Sequence, residues 1–202
     1  NLGPATGGTR YWQYNSIDEA LVDVLRLSRA MTYKCALADV PFGGGKAVII
    51  APKGTPKNKK MLRAYASRLN ILNGGFTTGE DVGITKYDIE VMAKISPHIN
   101  GRATKGGDLS IWAGLGVFVS IEAALENCFG SSSIKNRTFA IKGLGKIGKV
   151  LCKLLYERGG KIIGSDLNPR VVKSIKKEFP NVTMVSPNKI HKAHVDVYVP
   201  CA

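Results

Sequence analysis

The stretch from Thr138 to Asp166 leaves this chain the fewest ways to fold. It reads TFAIK, then GLGKIG, then KVLCKLLYERGG, then KIIGS and an aspartate. TFAIK and KIIGS predict short buried strands, and the segment between them spaces its apolar residues for an amphipathic helix. A lone G-x-G-x-x-G is weak. Here it opens a helix directly after a strand, and an acidic residue ends the next strand about 20 positions further on, the context of a dinucleotide-binding turn in an α/β fold. Each position has a mechanical task. Gly143 permits the tight turn, Gly145 lets a pyrophosphate approach the backbone, and Gly148 allows close helix packing, with Leu144, Lys146 and Ile147 completing the cradle. Asp166 would accept hydrogen bonds from ribose hydroxyls and repel a 2′-phosphate, which favours NAD over NADP; Lys146 and Arg170 add positive charge nearby and leave NADP open. A helix near 169–179 and strands near 182–185 and 196–199 bring the count to about four strands of a six-strand nucleotide-binding sheet.

The N-terminal half is organised around KCALADVPFGGGK, residues 34–46. Three consecutive glycines remove side chains there and would let a substrate come close to the backbone. A lysine enclosed in such a crevice beside a like charge loses part of its preference for the ammonium form and can act as a base. The plainer reading is a glycine-rich turn with a solvated lysine, and local composition alone favours it.

Upstream, NLGPATGGTR reads as a turn-rich opening with exposed backbone at Gly7 and Gly8. Ser16 and Glu19 have capping-box spacing, and Ile17, Ala20, Leu21, Val24, Leu25 and Met31 predict a helix that delivers Lys34 just past its end. Ala47–Ile50 predicts a buried strand entered at Lys46. Thr55 and Pro56 predict the start of a helix whose Lys57–Lys60 cluster is exposed. TTGEDVG, 77–83, is a polar turn before a helix at 85–95; its Glu80 and Asp81 also fit ordinary helix N-terminal acidity. Residues 97–111 read as a loop and 113–128 as an apolar helix. The Ser131–Ser133 run then sets the expected boundary, giving a substrate domain at 1–130 and a nucleotide-binding domain at 131–202.

Composition narrows the function classes. A formal net charge of +14 over 202 residues could serve nucleic acid, but the cations are spread along the chain with few aromatics among them, which favours a solvated basic surface. Cys35, Cys128, Cys152 and Cys201 form no CxxC pair, so a zinc ribbon or disulfide framework is not expected, and neither is a metal; a reducing cytoplasm fits. His191 and His194 read as surface histidines. No apolar run near the roughly 18 residues of a spanning helix is expected, hence no membrane partner. The chain starts without Met and stops after an apolar run, so truncation at both ends is expected.

Five motifs in order, GPATGGTR, MTYKCALADVPFGGGKAVI, TTGEDVG, GLGKIG with Asp166, and DVYVPCA, resemble the Glu/Leu/Phe/Val dehydrogenase family, and more closely its leucine, valine and phenylalanine branch. The resemblance implies an amino-acid dehydrogenase substrate domain joined to a partial Rossmann-type domain. It also implies reversible, NAD-dependent oxidative deamination of an L-amino acid to its 2-oxo acid and ammonia by a homo-oligomer. By the same resemblance Lys34 grips the substrate α-carboxylate beside Gly7 and Gly8, Lys46 is the catalytic lysine that activates water, and Asp81 moves a proton to or from the substrate nitrogen. Thr6 stands where the family's glutamate enzymes carry a lysine, which implies an apolar substrate. The chain departs from the family at GDLSIWAGLGV, 107–117, where Leu109 and Ile111 replace prolines and Ala113 replaces a threonine near the nicotinamide. That departure motivates the alternative of a non-catalytic NAD-binding relative with a structural or regulatory role.

Overall fold

The computed structural model describes residues 2–51, 53, 56–101 and 108–201, and divides into two compact units, Asn1–Gly107 and Asp108–Ala202. The first is built on a parallel sheet whose central strand is β1 (Ala5–Trp12). Strands β2 (Gly43–Gly44) and β3 (Ala47–Ile50) pair with β1 in one common register, Ala5 opposite Gly43 and Thr9 opposite Ala47. They are therefore two pieces of one strand along the same edge, interrupted at Gly45 and Lys46. Strand β4 (Phe76–Gly79) takes the other edge, with Gly8 opposite Gly79.

The opening segment is thus a central strand and not the turn-rich stretch that its glycines predict. A Cβ at Gly7 would overlap the carbonyl oxygen of Gly45, and one at Gly8 the carbonyl oxygen of Glu80. These glycines mark close approach of neighbouring backbone, one of the few reasons for glycine inside a strand.

Helix α1 (Ile17–Leu37) starts at Ser16, whose Oγ accepts a hydrogen bond from the Glu19 amide at 3.1 Å. Lys34 lies within its last turn, not beyond it. The apolar stripe behaves differently from the usual core-facing helix: only Ala20 and Cys35 of α1 are buried, while Ile17, Leu21, Leu25 and Leu37 are more than half exposed. Helices α2 (Lys59–Leu69) and α3 (Lys86–Ala93) form the core of this unit, through Leu62, Ala66, Leu69, Ile89 and Met92.

Asn58 caps α2, its Oδ1 accepting from the Met61 amide; Thr55 lies outside the described residues. Lys57 is not solvated with its neighbours. Its ammonium donates to the Asp88 carboxylate and the Gly83 carbonyl, because a carboxylate as buried as Asp88 needs a cation and hydrogen bonds. Burial pushes the Asp88 carboxyl up, but Lys57 and the Thr85 capping box outweigh it and hold the group below the usual range.

In the second unit α4 (Leu109–Phe129) precedes a four-stranded parallel sheet of β5 (Thr138–Lys142), β6 (Lys161–Ser165), β7 (Thr183–Met184) and β8 (Val197–Pro200). The sheet order is β7-β6-β5-β8, and α5 (Lys146–Glu157) and α6 (Pro169–Glu178) are the crossovers. Strands β6 and β7 are added on one side of β5 and β8 on the other, all parallel, which makes the carboxyl end of β5 a topological switch point.

Helix α4 belongs to this unit. Its Phe118, Ile121 and Leu125 share a buried cluster with Phe139, Ile141, Leu151 and Leu155, so the division between units precedes α4 and does not fall at Ser131–Ser133. The expectation of no spanning-length apolar run is also corrected. Over its 21 residues α4 is long and apolar enough to cross a membrane by length and composition alone. In this fold one face supplies core side chains, and Gly114 admits Val150 of α5 so closely that a Cβ would stand 2.6 Å from its Cγ1.

Candidate active site and dinucleotide turn

In the first unit the break between β2 and β3 positions the chemistry. Lys46 sits in that break, level with Gly8, and Asp81 follows the end of β4 on the other side of β1. Their side chains meet across the central strand, where the lack of side chains at Gly7 and Gly8 leaves a passage: Lys46 Nζ lies 3.1 Å from Asp81 Oδ2. Both groups are largely enclosed, with side-chain exposures of 12% and 16%, so little water screens the pair. Burial alone would push the Asp81 carboxyl up. The Lys46 ammonium, the Val82 amide and the Arg10 guanidinium outweigh burial and hold it below the ordinary carboxylate range.

The charge facing Lys46 is therefore a carboxylate and not the second lysine that the spacing of residues 34 and 46 suggests. Lys34 is exposed on α1, and its Nζ makes no hydrogen bond or ion pair with another described residue. The glycine run has a packing role. A Cβ at Gly44 would overlap the Thr32 amide of α1, and one at Gly45 would stand 2.9 Å from Ala5 Cβ and 3.0 Å from the Phe76 ring. The glycines clear room for the protein's own elements, and that close packing holds Lys46 at the strand break.

The partners of two residues here carried no local signal. Arg10, on β1, reaches Asp81 Oδ2 with Nε at 3.2 Å and Asp23 Oδ2 with a terminal nitrogen at 2.9 Å. Thr6, beside the glycine pair, accepts from the Thr77 hydroxyl at 2.9 Å, and Asn100 Nδ2 donates to Thr77 at 3.1 Å. One hydroxyl and one amide thus face the Thr6 side chain, without a cation among these partners. The partners are many residues away in sequence, so no short-range pattern betrays them.

In the second unit the glycine turn has the backbone that a phosphate cradle requires. Gly143 has φ +88°, a left-handed conformation that glycine tolerates, and its amide donates to the Ser165 carbonyl at 2.8 Å. A Cβ at Gly145, the N-cap of α5, would meet open space; at Gly148 it would overlap the Gly143 carbonyl. Gly145 is thus open to a ligand and Gly148 is filled by the turn itself. Lys146 and Ile147 open α5 on the exposed side, and Leu144 is buried. Asp166 fastens the turn, Oδ2 accepting from the Leu144 amide and Oδ1 from the Asn168 amide, each at 2.8 Å. Lys142, Gly143, Ser165, Asp166, Pro187 and Asn188 line a cavity of about 440 Å³ at the carboxyl ends of β5 and β6. Ser165 itself is fully buried in the wall of this cavity, and its Oγ has no hydrogen-bond partner among the described residues. An open glycine at a helix N-terminus, an orphaned hydroxyl and a carboxylate at the strand end fit a dinucleotide.

Known proteins share both units. A profile described as Glu/Leu/Phe/Val dehydrogenase, dimerisation domain, matches residues 1–98, and one described as Glutamate/Leucine/Phenylalanine/Valine dehydrogenase matches 110–168. L-tryptophan dehydrogenase of Nostoc punctiforme (strain ATCC 29133 / PCC 73102) is 44% identical over all of this chain and 56% of its own length. Phenylalanine dehydrogenase of Lysinibacillus sphaericus is 42% identical and leucine dehydrogenase of Geobacillus stearothermophilus 41%, each over all of this chain and 55% of its own length. The chain therefore spans about half the length of these relatives. The crystal structure of L-tryptophan dehydrogenase from Nostoc punctiforme superposes with a TM-score of 0.72 at 42% identity, covering 100% of this chain and 57% of that one. A hetero-hexameric glutamate dehydrogenase from Thermus thermophilus gives 0.76 at 22% identity over 100% and 54%, a likeness of fold. Because profiles from one family match both units, and relatives at these identities align along the whole chain, it belongs to the Glu/Leu/Phe/Val dehydrogenase family.

Proposed function

We propose that this chain carries the substrate-handling and dinucleotide-binding parts of an NAD-dependent dehydrogenase that deaminates an apolar L-amino acid to its 2-oxo acid and ammonia. The observation that carries the reading is the enclosed Lys46–Asp81 pair at the break in the strand beside β1. Such a pair can hold and move protons at two points. Lys46 Nζ, once its ammonium proton has passed to solvent, takes a proton from the water that attacks the imino carbon, and Asp81 exchanges a proton with the substrate nitrogen. Lys34, exposed at the end of α1, would supply a cation for the α-carboxylate, and the Gly7 and Gly8 backbone would receive the substrate. Thr6, with no cation among its partners, suits a substrate without a side-chain carboxylate. When bound, NAD supplies the acceptor for the hydrogen and electron pair that leave the α-carbon. Gly143, Gly145 and the N-terminus of α5 would hold its pyrophosphate and Asp166 its ribose, where a 2′-phosphate would meet the carboxylate.

The test is NADH formation by the complete gene product with leucine, valine, phenylalanine, tryptophan and glutamate. Turnover of one or more apolar amino acids, and little of glutamate, is expected. Saturable NAD binding without turnover of any of them would overturn the reading in favour of a non-catalytic relative.

Homo-oligomerisation is part of the same proposal. It is supported by the exposed apolar residues of α1, Ile17, Leu21, Leu25 and Leu37, on a unit whose profile is described as a dimerisation domain. Replacing Leu21 and Leu25 together by Asp is expected to lower the mass measured by light scattering towards that of a single chain; an unchanged mass would place the interface elsewhere. The free thiols of all four cysteines fit a reducing compartment, and we propose the cytoplasm.

A further inference from the structure

We propose that Arg10 is a positioning residue that orients the Asp81 carboxylate and favours its return to the ionised form after each proton exchange, and that Asp23 on α1 holds Arg10 in place. The activity part of this inference rests on the functional reading above; the ion-pair part does not. Lys46 Nζ and Arg10 Nε converge on the same oxygen, Asp81 Oδ2, at 3.1 and 3.2 Å. A lysine that serves as a base must lose its proton at some point in the cycle, and its support for the Asp81 carboxylate goes with it. A guanidinium stays protonated throughout, so Arg10 supplies the cation that persists.

One arginine can do this only if its fork is fixed. Its other face donates to Asp23 Oδ2 at 2.9 Å, and the Tyr14 hydroxyl donates to the same oxygen at 2.6 Å. Burial works against the Arg10 charge, and the carboxylates of Asp81 and Asp23 outweigh it, so its proton is held more tightly than usual. Burial and the Asp23 carboxylate push the Tyr14 phenol up to about 12, and it remains a donor across the working pH range. The outer end of this chain of contacts faces an open groove lined by Asp18, Glu19, Val22 and Arg26 as well. Among the described residues, the charged groups around Asp81 are Lys46 and Arg10 in contact, its neighbour Glu80, and Asp23 behind Arg10.

The sign of one substitution separates this arrangement from charge alone. Asp23→Asn removes a negative charge close to the site. If Asp23 acted only through space, its loss would move the Asp81 titration to lower pH. If Asp23 anchors Arg10, the freed guanidinium swings away and the Asp81 titration moves to higher pH, as it does in Arg10→Gln. Carboxyl carbon NMR of Asp81 in the folded full chain reads this directly. Upward shifts in Arg10→Gln, Asp23→Asn and Arg10→Lys are expected, the last because a single ammonium cannot bridge two carboxylates with the guanidinium geometry. A downward or absent shift in Asp23→Asn, or an unmoved titration in Arg10→Lys, would overturn the proposal.

In turnover, Asp23→Asn is expected to lower kcat roughly 10- to 100-fold, the scale of a misplaced catalytic group, with the KM for the amino acid little changed. A KM effect alone would also overturn the positioning role. Because the titration needs no turnover, an unmodified chain that deaminates nothing would sink the functional reading and leave the Arg10–Asp23 arrangement to be judged by NMR.

Discussion

Replacing Lys46 by alanine is expected to lower kcat by roughly 10²- to 10⁴-fold, the usual contribution of a positioned acid–base group, while the affinity for NAD stays unchanged. The two halves of the prediction follow from where the groups sit. Lys46 belongs to the unit that carries Asp81, whereas the glycine turn and Asp166 belong to the other. Isothermal titration with NAD and initial-rate measurements on the same preparation check both. Turnover that survives in Lys46→Ala would remove this lysine from the chemistry. The substitution also has a signature in stability. Asp81 titrates below its unfolded value in the fold, so its contribution is complete above the ordinary carboxylate range and is lost as pH falls through the lower folded value. Lys46→Ala cancels part of that contribution. Its stability deficit should therefore be largest near neutral pH and shrink in acid, where Asp81 is protonated in both proteins; urea melts at neutral and acidic pH measure it.

The second large effect concerns two glycines three residues apart. Gly148→Ala would drive a methyl group into the Gly143 carbonyl, with Cys201 Cβ 3.4 Å away on another side, so the backbone of the turn must shift. A loss of about 1–3 kcal/mol is expected, the range for inserting a methyl into a filled site. Gly145→Ala meets open space, so folding stability should change little. Its cost falls on the ligand: the methyl stands where a pyrophosphate would approach, and the NAD dissociation constant is expected to rise roughly 10-fold or more, about 1.4 kcal/mol per decade. Thermal melts with and without NAD separate the two outcomes. An equal loss of stability in both variants would mean that Gly145 is also a packing glycine.

Much of the second unit could be read in advance because its signals are local. TFAIK and KIIGS are strands at the expected residues, and the N-terminal proline of Pro169–Glu178 starts its helix. Helix α4 lies on the other side of the boundary from the one the serine run predicts, for the same reason. A serine run suggests a linker, but which core a helix joins depends on what Phe118 and Leu125 touch, and their partners come later in the chain.

The first unit was harder. Gly7 and Gly8 look like a turn to any local rule, yet they lie in the central strand, since what requires them is the backbone of Gly45 and Glu80. The apolar stripe of α1 has helical spacing, and spacing does not say whether a face meets the core or a partner.

By itself, then, the sequence determined an α/β chain with a G-x-G-x-x-G turn at Gly143–Gly148 between strand and helix, a carboxylate at Asp166 ending the next strand, and a lysine and an aspartate in motifs that resemble a dehydrogenase family. Only the tertiary structure decided that Lys46 faces Asp81 rather than Lys34, that Arg10 reaches Asp81 from 71 residues away, and that Gly44 and Gly45 before Lys46 admit α1 and the sheet. The physical reason is the range of the forces. Helix and turn preferences act within a few residues and can be read in order along a chain. An ion pair or a missing Cβ is chosen by whatever the fold brings alongside, and in a parallel sheet that neighbour always comes from far away in sequence.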